Sequence, residues 1–144
     1  YDLNLLIMDV TKVSRVPVAL TIAGSDSGGG AGIQADLRTF AFHCVHGTSA
    51  VTCITAQNTL GVTRVDAMPP EAVVAQMQAV VEDIGVQAAK TGMLLNKEII
   101  GAVAKQLELL QIKNLVVDPV MVSRAGAQLI DNEAVKILRE TLLP

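Results

Sequence analysis

The chain has 144 residues, of which 51% are apolar but only 2% aromatic, and its formal net charge at pH 7 is −3. This length is ordinary for a single domain with a sizeable core, which must be built mainly from Val, Ile, Leu, Ala and Met. The negative charge argues against nucleic acid as the main partner, and no apolar run approaches the roughly 18 residues of a membrane span.

The two ends of the chain indicate a piece of a longer protein. The chain begins with Tyr1 rather than Met, and it stops at Pro144 directly after a helical pattern. We interpret residues 1–15 as a leader, a linker or an added sequence, and residues 16–144 as the amino-terminal part of one domain. Residues 3–8 are apolar but lack the basic start and cleavage site of a signal peptide, so we expect a cytoplasmic protein.

The first third of the chain contains two strand patterns separated by glycines and a helix. Residues 16–22 (VPVALTI) predict a buried strand, whereas residues 24–32 hold too many glycines for any regular element. Helical spacing of apolar residues predicts a helix over residues 33–42, and residues 49–55 (SAVTCIT) predict a second strand. His43 and His46 flank the helix end, where capping is the simplest role. Cys44 and Cys53 fit no disulfide framework or ligand pair, so we expect two reduced, partly buried thiols.

The remaining elements alternate between helix and strand. Residues 59–68 are compatible with a loop or a small hairpin. The Pro-Pro-Glu sequence at 69–71 opens a helix, with apolar positions at 73, 74, 77, 80, 81 and 84. Residues 86–90 and 115–117 predict two more strands. Between them Asn96 caps a helix with apolar positions at 99, 100, 103, 107 and 110. A last helix begins at Asp131 or Asn132 and runs through Leu142.

This alternation predicts an α/β fold with a mostly parallel sheet covered by helices. In such sheets, ligands bind beyond the carboxyl ends of the strands. Each predicted strand is followed by residues with polar groups to offer: Gly-Ser-Asp at 24–26, Gln-Asn at 57–58, Lys-Thr-Gly-Met at 90–93 and Asp-Pro-Val-Met at 118–121. We therefore expect these residues to converge on one edge of the sheet.

The glycine-rich segment 24–32 fails both phosphate-binding templates. Gly24 and Gly29 have the spacing of a Walker loop, but no lysine follows. Gly28 and Gly30 fit the start of the dinucleotide fingerprint, but its last position is Ile33. The glycines alone leave open whether this segment contacts a ligand or only forms a tight turn.

Single residues near the strand ends have both a functional and a structural interpretation. Asp36 either points back to a ligand or is a solvated helix carboxylate. Gln57 offers the donor and acceptor of an amide to a heteroaromatic ring, or merely satisfies a turn. Asp118 is either a carboxylate of a metal or phosphate site or an ordinary strand end before proline. Lys90 is either functional or extends to solvent.

Four motifs then occur together: AGSDSGGGAGIQADL at 23–37, TAQN at 55–58, KTGML at 90–94 and VVDPVM at 116–121. In this order and at these spacings, they make residues 16–144 resemble the hydroxymethylpyrimidine/phosphomethylpyrimidine kinases of thiamine biosynthesis. These kinases belong to the ribokinase-like superfamily. The resemblance implies a three-layer α/β/α fold with a mostly parallel sheet, incomplete in this chain. It also implies transfer of a phosphoryl group from ATP, with Mg²⁺, to a hydroxymethylpyrimidine and then to its monophosphate, in a homodimer.

The resemblance also assigns residues. It implies that Gly24 contacts the substrate, and that Asp36 and Gln57 hydrogen-bond the aminopyrimidine. Met93 and Val120 become apolar walls against the ring. The resemblance further implies that Asp118 lies near the ATP phosphates and Mg²⁺.

The family's Gly-Thr-Gly-Cys run, which supplies the anion hole and a cysteine near the reacting hydroxyl, is absent from this sequence. We therefore expect no catalytic residue in this chain, with that run lying beyond Pro144, and no activity from residues 1–144 alone. Two alternatives remain. One is a pyridoxal or pyridoxamine kinase of the same superfamily, although Gln57 and Met93 favour the pyrimidine. The other is a non-catalytic pyrimidine-binding module.

Overall fold

The computed structural model describes residues 16–121, 130 and 132–143. The proposed leader over residues 1–15 lies outside these ranges. The described part forms five strands and four helices, in the order β1 Val18–Asp26, α1 Gly32–Phe42, β2 His46–Gln57, β3 Val62–Ala67, α2 Pro70–Asp83, β4 Ala88–Thr91, α3 Lys97–Leu109, β5 Leu115–Val117 and α4 Asn132–Thr141. Among the described helices, none has the length and apolar character needed to cross a membrane.

The five strands form one sheet in the order β3-β2-β1-β4-β5. Strand β1 pairs in parallel with both β2 and β4, and β4 pairs in parallel with β5. Strand β3 lies antiparallel to β2 at one edge. Residues 59–68, for which the sequence is compatible with a loop or a hairpin, therefore hold the second arm of a hairpin. The mostly parallel α/β sheet is as predicted.

The helices lie on the two faces of this sheet. Leu20 and Ile22 of β1 belong to a buried aliphatic cluster that also contains Met77 of α2 and Val103 of α3. Thr21, between them in the strand, instead donates a hydrogen bond to α1. Because successive side chains of a strand point to opposite faces, α1 covers one face and α2 and α3 cover the other. The sheet and the helices on its two faces form three layers. Helix α4 packs on α3.

The structure confirms the predicted cap of α3 and the predicted apolar face of α2. Asn96 caps α3, because its Oδ1 accepts a hydrogen bond from the Ile99 amide at 2.9 Å. In α2, Val73 and Met77 of the predicted apolar face are buried. Ile84 is an exception: it follows the end of α2 and is exposed.

Strand β1 corrects the prediction that residues 24–32 contain no regular element. It continues to Asp26, because the long strand β2 offers pairing partners for Ser25 and Asp26, with a register shift between residues 23 and 25. At the other end of the segment, Gly32 is already the first residue of α1. Only residues 27–31 form a loop, which we call the glycine loop.

The cysteine prediction is half right. Both cysteines are free, but only Cys53 is buried; Cys44 is exposed. Cys44 follows α1 in the turn that leads to β2, where its φ is 56°, and this turn lies outside the core.

Candidate functional site

The carboxyl ends of β1, β2, β4 and β5 meet at one edge of the sheet, as expected for parallel neighbours. A cavity of about 620 Å³ lies there. All four strand ends and the glycine loop contribute to its lining, as does the turn between β2 and β3. Five of the six residues that the sequence assigned to the site line this cavity: Gly24, Gln57, Met93, Asp118 and Val120.

The glycine loop is closed around a carboxylate of its own chain. Asp26 Oδ1 accepts a hydrogen bond from the Gly28 amide at 2.8 Å, and Oδ2 accepts from the amides of Gly30 and Ala31, each at 2.9 Å. Converging backbone N–H groups of this kind bind anions. In this chain the anion is Asp26, which is 5% exposed. The backbone of the loop therefore has the form of an anion site, but these three amides are already occupied by Asp26.

Side chains of α1 hold both the end of β1 and the glycine loop. Gln34 accepts a hydrogen bond from the Asp26 amide through Oε1 and donates to Ser25 Oγ through Nε2, at 2.9 and 2.8 Å. Arg38 donates to the carbonyl oxygen of Gly29. The loop is thus attached to both the strand before it and the helix after it.

Gly32 allows the chain to return to the strand. Its φ is +57°, and a Cβ there would lie 2.3 Å from the carbonyl oxygen of Gly24. Both the backbone conformation and the space require glycine. This close approach brings the start of α1 against the end of β1.

Gly24 lies in a tight part of the cavity wall. A Cβ at this position would lie 2.7 Å from Cys53 Sγ and 3.0 Å from the terminal methyl of Met93. The carbonyl oxygen of Met93 accepts a hydrogen bond from Thr52 at 2.6 Å, which fixes the backbone of that residue. Burial raises the pKa of the Cys53 thiol, although a hydrogen bond from Thr52 opposes the shift. Cys53 is therefore a packing residue and not a nucleophile.

Gln57 presents its amide at the end of β2. Its Oε1 lies 3.2 Å from the hydroxyl of Thr55. Its backbone N–H and C=O both bond Ser27 Oγ, each at 2.8 Å, so the strand end is clamped to the glycine loop. The one proton of the Thr55 hydroxyl goes to the carbonyl oxygen of Ser25 at 2.9 Å, so either atom of the Gln57 amide can face that hydroxyl. The other amide atom has no partner among the described residues and is available to a ligand.

Asp36 is the sixth predicted site residue; it is not among the lining residues, but its carboxylate contacts one of them, Lys90. Its carboxylate accepts a hydrogen bond from Thr21 Oγ1 at 2.6 Å, and both of its oxygens lie 3.1 Å from Lys90 Nζ. Its side chain is only 17% exposed. The interpretation of Asp36 as a solvated carboxylate is therefore wrong. Its predicted hydrogen bond to a pyrimidine stays a prediction.

Lys90 also lines the cavity, although the sequence did not assign it to the site. Besides Asp36, its ammonium lies 3.5 Å from Asp118 Oδ2. The alternative that Lys90 extends to solvent is wrong, because the side chain is 22% exposed and its charge faces two carboxylates. A single lysine at the end of an apolar strand was the available signal. The second missed residue is Asp26, for which an Asp two residues before a Gly was the signal of a side-chain turn.

Asp118 is the carboxylate of this site best able to take a metal ion. Its side chain is 51% exposed, whereas Asp36 and Asp26 are engaged by the chain itself. Among the described residues there is no group of three His, Cys, Asp or Glu that could hold a metal by itself. One carboxylate together with substrate phosphates is a usual arrangement for Mg²⁺, so the chemistry of Asp118 is compatible with a magnesium ion that enters with a nucleotide.

Two predicted structural residues lie away from the cavity. His43 is the residue that follows α1, and its backbone N–H bonds the carbonyl oxygens of the last turn. His46 begins β2. Neither lines the cavity.

Comparison with known proteins agrees with this geometry. A family model described as phosphomethylpyrimidine kinase matches residues 26–144. A hydroxymethylpyrimidine/phosphomethylpyrimidine kinase of Synechococcus elongatus is 67% identical over 129 residues, which are 90% of this chain and 49% of that protein. The corresponding kinase of Bacillus subtilis is 51% identical over 126 residues, or 88% of this chain and 46% of that protein.

Solved structures give the same result. The crystal structure of a phosphomethylpyrimidine kinase from Clostridium difficile matches with a TM-score of 0.84 and 48% identity, covering 89% of this chain and 55% of that chain. An ADP complex of Bacillus subtilis pyridoxal kinase matches with a TM-score of 0.78 and 43% identity, covering 88% and 48%. These neighbours are ribokinase-like kinases, so the predicted fold class is confirmed. The chain spans about half the length of the curated relatives it matches.

Proposed function

Because this chain belongs to the phosphomethylpyrimidine kinase family, we propose that the whole protein phosphorylates 4-amino-5-hydroxymethyl-2-methylpyrimidine. It transfers the terminal phosphoryl group of ATP to the hydroxymethyl oxygen, and then a second one to the monophosphate, in the biosynthesis of thiamine diphosphate. The observation that supports this most directly is the cavity itself, in which the amide of Gln57 lines the same space as apolar side chains and a half-exposed carboxylate.

The lining suits a flat aminopyrimidine. The ring nitrogens accept hydrogen bonds and the exocyclic amine donates them, and the amide of Gln57 can do both. Met93 and Val120 are half-buried and apolar, so they would contact the faces of the ring. Gly24 would offer the substrate edge its backbone, because Cys53 and Met93 fill the space that a side chain would take. Asp36 would bond the amine through a lone pair that Lys90 and Thr21 leave unused, since a carboxylate has about four acceptor sites.

Asp118 and the cavity mouth would take the phosphate end of the reaction. We propose that Asp118 holds Mg²⁺ together with the phosphates of ATP. When bound, Mg²⁺ neutralises charge on the phosphate oxygens. Asp118 itself orients the ion at the mouth. The cysteine and anion hole expected for this family would come from beyond Pro144, so we expect the 144-residue chain by itself to be inactive.

The test is a kinetic comparison on the whole protein with Mg²⁺ and ATP. We expect kcat/KM for the aminopyrimidine alcohol to exceed that for pyridoxal and pyridoxamine by at least about 100-fold, because a polar group left unpaired in the wrong complex is costly. Gln57→Ala should raise the KM for the pyrimidine about 10-fold or more. Gln78→Ala, on the exposed side of α2, is the matched control and should leave that KM unchanged. Equal or better use of pyridoxal would contradict the proposal.

A pyridoxal kinase is the second candidate, since solved pyridoxal kinases share this part of the fold at 34% to 43% identity. The kinetic comparison separates the two substrates. A protein that binds the pyrimidine but turns over neither alcohol would instead be the non-catalytic binding module. We further propose that the whole protein is a cytoplasmic homodimer. Light scattering after size-exclusion chromatography would test the dimer directly.

A further inference from the structure

Two charged side chains remain available to a ligand in the cavity. Three charged residues line it within the described part of the chain: Asp26, Lys90 and Asp118. The carboxylate of Asp26 is occupied by three backbone amides. This leaves the carboxylate of Asp118 and the ammonium of Lys90. Among the described lining residues, Lys90 is therefore the single positive charge.

The ammonium of Lys90 is held in place from behind. Both oxygens of Asp36 lie 3.1 Å from it, and Thr21 holds that carboxylate in turn. Gly92 leaves the space for it, since a Cβ at this position would lie 3.1 Å from Lys90 Nζ. The Asp36 carboxylate, the Thr21 hydroxyl and the space at Gly92 together fix the position of this ammonium at the edge of the cavity.

One N–H of this ammonium is only loosely engaged. An ammonium has three donors, and Asp36 accounts for at most two of them. The remaining partner, Asp118, is 3.5 Å away, which is beyond the usual range of a hydrogen bond between charged groups. Asp118 is also the residue expected to face the metal. A negatively charged oxygen that enters the cavity beside Asp118 would therefore meet a preoriented donor.

We propose that Lys90 binds the transferring phosphoryl group and stabilises the charge on its oxygens in the transition state. This inference rests on the proposed kinase function. In that reaction the hydroxymethyl oxygen forms a bond to the γ-phosphorus while the bond from that phosphorus to the β,γ-bridging oxygen breaks. ADP leaves with the electron pair, and the hydroxyl proton is released to solvent. Lys90 stays protonated throughout and contributes charge and position only.

The alternative is that Lys90 serves only to hold Asp36. A double-mutant cycle in the whole protein separates the two roles. If Lys90 acts on the phosphoryl group, Lys90→Met should lower kcat by about 100-fold or more. The loss should be similar in the wild-type and the Asp36→Asn background, and Lys90→Arg should restore part of it. Lys105→Met, on the exposed side of α3, is the matched control and should leave kcat unchanged.

Thermal unfolding of the same variants shows whether a loss of kcat reflects a loss of stability. Lys90→Met leaves the Asp36 carboxylate without its positively charged partner and should lower the melting temperature, and the double variant should recover much of that loss. A kcat that recovers together with the melting temperature would overturn the inference, as would a Lys90→Met variant that loses no further kcat in the Asp36→Asn background. A wild-type protein that phosphorylates none of the alcohols would instead refute the proposed function.

Discussion

Replacement of Asp26 by Asn tests whether a carboxylate organises the glycine loop. The substitution keeps the shape of the side chain but leaves one acceptor oxygen in place of two. If that oxygen faces Gly30 and Ala31, the new NH₂ group faces the N–H of Gly28, donor against donor. The two retained bonds lose their charge assistance as well.

The magnitude follows from these three bonds. A hydrogen bond to a charged group contributes about 1.5–3 kcal/mol, and a neutral one about 0.5–1.5 kcal/mol. Water can reach the amides of the loop once it opens, because Gly28, Gly30 and Ala31 are exposed. We therefore expect Asp26→Asn to lower the free energy of unfolding by about 2–3 kcal/mol, and Asp26→Ala by about 3–4 kcal/mol.

The assay is denaturant unfolding of the whole protein, with hydrogen exchange of the amides of residues 28, 30 and 31. Exchange of these amides should accelerate in the Asp26→Asn variant. Asp83→Asn, at the exposed end of α2, is the matched control and should change stability by less than about 0.5 kcal/mol. The reasoning is refuted if the two variants are equally stable and the loop amides exchange as in the wild type.

Four further predictions follow from packing, burial and capping. Gly24→Ala would bring a methyl group against Cys53 and Met93, so we expect a loss of about 1–3 kcal/mol in unfolding free energy and a higher KM for the pyrimidine, measured by denaturation and steady-state kinetics. Iodoacetamide should modify Cys44 in the native protein but Cys53 only on unfolding, as mass spectrometry would detect. Because burial raises the pKa of Cys53, its stabilising contribution is complete below the ordinary thiol pKa of about 8.5 and is lost as the pH rises through the folded-state pKa. Asn96→Ala should cost about 1 kcal/mol, because α3 loses its cap.

Each of these predictions can be contradicted by a specific result. Gly101→Ala, where no atom lies within 4 Å of the added carbon, should stabilise the protein by about 0.5–1 kcal/mol, so two glycine variants of equal stability would contradict the packing argument. Alkylation of both cysteines at the same rate in the native protein would contradict the burial argument. A pH dependence of stability above the ordinary thiol pKa that is unchanged in Cys53→Ala would contradict the linkage. An Asn96→Ala variant as stable as the wild type would exclude the cap.

The sequence by itself determined most of the local structure. Helical spacing and capping residues predicted α2 and α3 closely, because the signals for a helix lie within one or two turns of each other. Strand ends were predicted less well. Strand β1 extends to Asp26 and β2 begins at His46, because a strand lasts as long as a neighbouring strand pairs with it. That partner is distant in the chain and leaves no mark on local periodicity.

The site, too, was predicted only in part from the sequence. Motif recognition selected Gly24, Gln57, Met93, Asp118 and Val120, and the parallel sheet brings all five to one cavity. Only the tertiary structure decided what the charges do. The amides of the glycine loop bond Asp26. The ammonium of Lys90 lies between the carboxylates of Asp36 and Asp118, three residues that are far apart in the chain. These contacts depend on β4 lying beside β1 in the sheet, an arrangement set by long-range pairing and packing that no local pattern encodes.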